Sequence, residues 1–280
     1  MRMLGLIKNL SYRSPVGWAI RAFGLQHVAR NWYWRVARPN GGVLPVEVRG
    51  TTAQFFARNT DELRTVEKEV LGERHALELL LSFLGPGDVV YEVGAGVGVV
   101  TVFLARSGAK VFAFEPMRGN YERLAENLGL NRIGEVQVFR VALGEWDGKA
   151  ILYGGHKGVD FSASLLPSAS NRMRQELVKV VEGDHFRKTQ GLPLARAVHM
   201  DVEGYEYAAI RGLRETLKHA HCGLLALEIH PGLLPSEITS EHVVSLLKSL
   251  GFVTIDSYVS YSAHLLIARK AKVASFSTQQ

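Results

Sequence analysis

The sequence predicts an α/β, Rossmann-like fold: a seven-stranded, mostly parallel sheet with an antiparallel last strand, helices on both faces, and a basic helical N-terminal arm. Three observations predict it. Short apolar strand candidates alternate with helix candidates over residues 85–270, the pattern of a parallel sheet covered on both sides. The first of those strands runs into a glycine-rich turn that opens a helix. The last two strand candidates are joined by a turn too short for a crossover, so they must pair antiparallel.

The elements follow in order. Residues 1–40 read as one or two short helices, broken near Ser14-Pro15 and Pro39-Asn40-Gly41-Gly42. Residues 45–58 place Val46, Val48 and Phe55-Phe56 around Gly50, which predicts a hairpin. A helix is expected over 60–84, capped by Thr60, with Leu63, Val66, Val70, Leu77 and Leu81 at helical spacing and Gly85-Pro86-Gly87 ending it. Residues 47–84 thus lead into the core. Strands are expected at 88–93, 110–115, 136–141, 195–201, 223–229, 252–258 and 263–269, with helices at 98–107, 117–130, 203–220 and 236–250. In the 117–130 segment, Tyr121, Leu124, Ala125 and Leu128 repeat at i, i+3, i+4, i+7. An insertion over 144–193 interrupts the alternation, with a hairpin at 150–153 and a strand at 177–181. A polar tail covers 271–280.

Composition narrows the class. The chain has 280 residues, 47% hydrophobic and 21% charged, which excludes a disordered chain. No apolar run approaches the ~20 residues of a membrane span, and the start is too interrupted for a signal-peptide core. The single cysteine, Cys222, excludes an internal disulfide framework and a Cys-based zinc site, so a cytoplasmic setting is expected. The net charge of +6 is uneven. Residues 1–46 hold seven bases and no acid, and three of the four tryptophans (Trp18, Trp32, Trp34), leaving the body with 26 bases and 27 acids. A basic, aromatic arm can lie on an anionic membrane surface, track nucleic acid, or pack its rings on the body.

The glycine-rich turn carries the chemistry. The apolar strand Val89-Val90-Tyr91-Glu92-Val93 enters Gly94-Ala95-Gly96-Val97-Gly98. Ligands in such sheets bind beyond the carboxyl ends of the strands, and glycines there admit a ligand close to the backbone. The next strand ends in Phe114-Glu115-Pro116, so Glu115 lies 21 residues past Gly94, where a carboxylate can bridge ribose hydroxyls. A dinucleotide loop wants its third glycine where Val99 stands, and acidic Glu92 would repel a pyrophosphate. The pattern suits a nucleoside with an ammonium and a sulfonium, S-adenosyl-L-methionine.

Residues from about 63 to 229 resemble the FkbM family of S-adenosylmethionine-dependent methyltransferases. The shared segments are Pro86-Gly87-Asp88-Val89-Val90-Tyr91-Glu92-Val93-Gly94-Ala95-Gly96-Val97-Gly98, Phe114-Glu115-Pro116, Val141-Ala142-Leu143, Asp201-Val202-Glu203-Gly204-Tyr205-Glu206 and Glu228-Ile229-His230. The resemblance implies a class I methyltransferase fold and O-methylation. The chain departs from the family at Glu92 (usually Asp), Gly96 (usually Asn) and His199 (usually Lys).

Several further residues are expected at the site. Asp201, at the carboxyl end of a strand, shares a rim with Gly94 and Glu115 and is the first candidate for the base that takes a hydroxyl proton. His230 and Glu203 are the others. Glu206 joins Tyr153 and His156, from the insertion, as candidate substrate contacts. Met117 is placed to cover adenine, and Ala142 and Leu143 to meet its edge. No metal is expected, and Asp201, Glu228 and His230 are the residues that would hold a divalent cation if one bound. The leading expectation is an O-methyltransferase of a sugar, glycolipid or other small natural product. The alternatives are an RNA methyltransferase using the arm, a nicotinamide-dependent reductase, and a peripheral membrane module contacting lipid through residues 1–40. The sequence is silent on oligomeric state.

Overall fold

The computed structural model describes residues 42–271 apart from 60–61, 64–65, 68–69, 71, 73, 155–157, 161, 168–172 and 261–262. The arm up to residue 41, the tail from residue 272 and His156 therefore lie outside the described residues. Among the described residues, no helix is long and apolar enough to cross a membrane.

The chain enters through the expected hairpin, β1 (Val43–Val48) and β2 (Thr51–Phe56). Its two-residue turn puts both Arg49 and Gly50 at positive φ, 49° and 80°, the geometry that matches strand twist. Alternation buries Val46, Val48, Ala53 and Phe55. Of the helix expected over 60–84, α1 (Arg74–Phe83) is continuous and buries Ala76, Leu77 and Leu80. The described residues between 62 and 72 are helical as well.

The main sheet then builds outward from its middle. The run is β3 (Val89–Val93), α2 (Val99–Arg106), β4 (Lys110–Phe114), α3 (Arg118–Leu130) and β5 (Gln137–Phe139). It continues past the insertion with β9 (Ala197–Asp201), α5 (Glu206–Gly212), α6 (Arg214–Lys218), β10 (Leu224–Ile229), α7 (Ser240–Ser249), β11 (Thr254–Ser260) and β12 (Ala263–Arg269). The strand order is β11-β12-β10-β9-β3-β4-β5. The contacts among β5, β4, β3, β9 and β10 are parallel, and β12 runs antiparallel to both its neighbours, as the short final turn requires. One face buries Val90, Val99, Leu104 and Leu124 under the hairpin and α1. The other buries Tyr91, Phe114, Met200 and Leu227. Each such side chain contributes about 1.5–3 kcal/mol of transfer free energy. Strand order reverses between β3 and β9, which makes their carboxyl ends the crevice of the sheet.

The insertion is a small sheet of its own, in the order β6-β8-β7, from β6 (Ala142–Gly144), β7 (Gly148–Gly154) and β8 (Arg174–Glu182), followed by the short helix α4 (Gly183–Thr189). Two expectations are corrected here. The strand expected over 136–141 stops at Phe139, because Val141 N–H turns back to the Phe139 carbonyl (3.0 Å), and Ala142 and Leu143 leave the main sheet to pair with Val180 and Val181 of β8. The helix expected over 203–220 divides. Glu203 and Gly204 take positive φ (50° and 100°), so α5 starts only at Glu206, and it breaks from α6 at Leu213.

Candidate active site

The glycine turn is shaped by its neighbours. Gly94 sits at φ 83°, and a Cβ there would lie 1.8 Å from the Asp201 carbonyl oxygen. No side chain fits where β3 and β9 diverge. Gly96 donates its N–H to Glu115 Oε2 (2.8 Å). Gly98 has a packing role: at φ 87° it opens α2, and a Cβ would stand 2.1 Å from Leu124 Cδ1 of α3. Ala95 is buried in the core and donates to the Phe114 carbonyl (3.1 Å).

Glu115 reaches the cleft where the spacing expects it. Its second oxygen accepts the Met117 N–H (2.8 Å), so two backbone donors fix the carboxylate among the lining residues. Met117 itself packs below the wall, on Leu152 and Val178. Glu92 is buried one turn back and accepts the Thr101 hydroxyl of α2, and it is not among the lining residues. Glu92 ties the strand to α2. Beside it in register, His199 is fully buried, and burial pushes its ring down to about 4, so it is neutral at physiological pH.

The insertion roofs the cleft from one end to the other. Leu152, Ala163 and Leu165 give an apolar cover beside Ala142 and Leu143. At the Glu115 end, Asn120 of α3 and Asp160 exchange two hydrogen bonds: Asn120 Nδ2 donates to the Asp160 carbonyl, and Asp160 N–H donates to Asn120 Oδ1, each 2.8 Å. At the other end Ser164 Oγ donates to the Glu203 carbonyl (2.5 Å). Tyr153, expected as a substrate contact, is not among the lining residues described. It lies one position off the face that Leu152 presents and pairs its backbone with Ser164.

Asp201 and Glu228 are register partners at the ends of β9 and β10, and both line the cleft with Glu203. His230 follows β10 and stands among the acids. Its Nδ1 is 3.0 Å from Glu206 Oε1 and 3.8 Å from Asp201 Oδ1, and its Nε2 is 3.4 Å from Glu203 Oε2 and 4.0 Å from Glu228 Oε1. Burial alone would lower the ring's pKa, but the Glu206 hydrogen bond and the charges of Asp201 and Glu203 outweigh it and push it up to about 9. Glu206 is corrected as a substrate contact: it is fully buried, holding the Gly204 N–H (2.9 Å) and the His230 ring. Asp160, Asn120, Leu152 and Leu165 line the cleft outside the sequence motifs. The alternation of β7 could have found Leu152, and Asp160-x-Ser162 has the form of a local turn in which the acid accepts the serine N–H (2.9 Å).

No lysine or arginine is among the lining residues described. The open glycine backbone, the ribose-distance carboxylate and the apolar roof fit the adenosine of a sulfonium cofactor. Sheet order and site together define a class I methyltransferase that uses S-adenosylmethionine. The chain belongs to the FkbM methyltransferase family: the profile described as "Methyltransferase FkbM domain" matches residues 92–254. The chain is 27% identical to the hexuronic acid methyltransferase AglP of Haloferax volcanii over 77% of its own length and 87% of the relative's. It is also 29% identical to a ribosomal protein L11 methyltransferase of Thermoanaerobacter, over 38% of this chain and 35% of that protein. Among solved structures, it is similar to magnesium protoporphyrin IX methyltransferase of Synechocystis (TM-score 0.45, 15% identity, 74% of this chain and 84% of that one).

Proposed function

We propose that the protein methylates a hydroxyl group of a sugar-type small molecule, with Asp201 as the group that takes the hydroxyl proton. The carrying observation is the position of Asp201: its backbone touches the glycine turn at Gly94 and its carboxylate lines the same cleft as Glu115. The similarity to a hexuronic acid methyltransferase over most of both chains supports the substrate class.

The cofactor supplies an electrophilic methyl group on a cationic sulfur. The chain's own residues do the rest. Glu115 holds the ribose, with Gly96 and Met117 N–H groups fixing its oxygens. Gly94 lets the reacting end approach the β3–β9 divide. The roof of Leu152, Ala163 and Leu165 excludes water from that end. Asp201 orients the acceptor oxygen for in-line attack at ~3–3.5 Å and accepts its proton. Glu203 and Glu228 can receive hydrogen bonds from neighbouring hydroxyls. Glu206 is a positioning residue that acts through His230.

An acidic wall with no described lysine or arginine disfavours a polyanionic acceptor such as RNA. The test incubates the full chain with labelled S-adenosylmethionine and neutral sugars, hexuronic acids and RNA, and follows methyl incorporation. The expected outcome is an alkali-stable methyl ether on a sugar hydroxyl, lost in Asp201→Asn while S-adenosylhomocysteine binding persists. Label in RNA alone, or full turnover by the variant, would overturn the reading. Membrane contact through residues 1–40 is a separate proposal, carried by that segment's arginines and tryptophans and tested by vesicle co-sedimentation with and without it.

A further inference from the structure

We infer that Asp201, Glu203 and His230 form a divalent-cation site at the acceptor end of the cleft. One ligand atom from each of the three lies within 4.8 Å of the others. Ligands placed ~2.1 Å from a shared ion on opposite sides are separated by about 4.2 Å, so small side-chain adjustments bring the three to coordination distance.

The imidazole distinguishes this group from a patch of surface acids. Glu206, fully buried, faces His230 Nδ1 at 3.0 Å. Its other oxygen is buried and takes no hydrogen bond, so the ring is the side chain this carboxylate serves. A carboxylate behind one ring nitrogen orients the ring and turns the other nitrogen outward, as in metal-bound histidines, and a cation binding there displaces that nitrogen's proton. Here the outward nitrogen, Nε2, looks toward Glu203 at 3.4 Å and Glu228 at 4.0 Å, both on the cleft wall. Asp201 comes from the adjacent strand end, in register with Glu228. Two carboxylates and an imidazole suit a cation that accepts mixed oxygen and nitrogen ligands, and Mn²⁺ is the natural probe.

The site has a purpose in the reaction, and in that respect it rests on the methyl-transfer reading. A neutral alcohol is a poor nucleophile, and a bound cation lowers the pKa of an oxygen it touches. The acceptor's O–H bond breaks and its proton passes to the second oxygen of Asp201. The freed oxygen forms the O–CH₃ bond as the CH₃–S bond breaks, and the sulfur keeps the electron pair. The cation also gives an acidic wall a way to hold a second oxygen of the sugar, including the carboxylate of a hexuronic acid.

The experiment strips the full-length protein with EDTA and titrates it with MnCl₂, following the paramagnetic resonance signal of free Mn²⁺. S-adenosylhomocysteine binding is measured by calorimetry on the same samples. The expected result is one saturable Mn²⁺ per chain, weakened ~10–100-fold by Glu203→Gln and by His230→Ala, with the nucleoside still bound by both variants as proof of folding. Absence of saturable Mn²⁺ binding in the wild type, or binding that survives both substitutions, would overturn the cation site. Failure of the wild type to bind the nucleoside both with and without Mn²⁺ would instead overturn the methyl-transfer reading, so the two failures are distinguishable.

Discussion

Ser164 Oγ donates a hydrogen bond to the carbonyl oxygen of Glu203, at 2.5 Å, and so joins the roof of the cleft to its acidic loop. Both residues are buried, and Glu203 holds a positive φ of 50° that an ordinary side chain adopts only under constraint. The serine also accepts the Leu166 N–H (3.0 Å), which makes it a node between roof and loop. Ser164→Ala leaves that carbonyl without this donor, at a cost of ~1–3 kcal/mol in a buried setting. The expected outcome is a lower kcat, with S-adenosylhomocysteine affinity unchanged. Steady-state kinetics and calorimetry check it, and equal losses in both would place the serine's role elsewhere.

Gly94 is a position with no room for a side chain. Its Cβ would stand 1.8 Å from a backbone oxygen of β9, which no rotamer change relieves. Positive φ adds ~1–2 kcal/mol for any other residue. Gly94→Ala must therefore push β3 and β9 apart at the crevice. A lowered Tm together with loss of nucleoside binding is expected, read by thermal melts with and without S-adenosylhomocysteine. A variant that melts and binds like the wild type would contradict the contact.

The same two strands show how much of the molecule the sequence discloses. Apolar runs such as Val89–Val93 and Leu224–Ile229, with helices between, suffice for a parallel sheet. The spacing from Gly94 to Glu115 suffices for a nucleoside crevice. What escapes is set by long-range pairing or by a one-residue phase. The three-residue strand β6 exists only because β8, which begins thirty residues further on, pairs with it. Tyr153 and Leu152 differ by one position and so by one face. The sequence predicts a helix from residue 203 and Glu206 as a substrate contact. The left-handed turn at Glu203-Gly204 starts it later and turns that carboxylate inward, onto His230. Non-glycine residues at positive φ leave no mark in hydrophobic periodicity. The Asn120–Asp160 exchange joins residues forty positions apart and is equally silent in the sequence.

Glu115 should dominate cofactor affinity. Its oxygens are fixed by the N–H groups of Gly96 and Met117, so the carboxylate is held in place before any ribose arrives. Hydrogen bonds to charged groups contribute ~1.5–3 kcal/mol each, so Glu115→Ala should weaken S-adenosylhomocysteine binding by about 10–100-fold. The acceptor's KM should change little, because the Asp201 end of the cleft is untouched. Calorimetry and acceptor titrations at saturating cofactor separate the two.

Cys222 supplies a probe of the fold that is independent of the site. It is fully buried before β10, and burial pushes its thiol up to about 12. The thiolate is the reactive form, so the native protein should resist iodoacetamide at pH 8 and react once denaturant opens the core. The same shift fixes a pH dependence. The unfolded thiol ionises near 9 while the folded one stays protonated, so this contribution to stability is intact below 9 and is lost as pH rises toward 12. Denaturant midpoints of the wild type should accordingly fall more steeply across that window than those of Cys222→Ala, whose side chain has no proton to lose. Parallel curves for the two proteins would show that the thiol is solvated in the folded state.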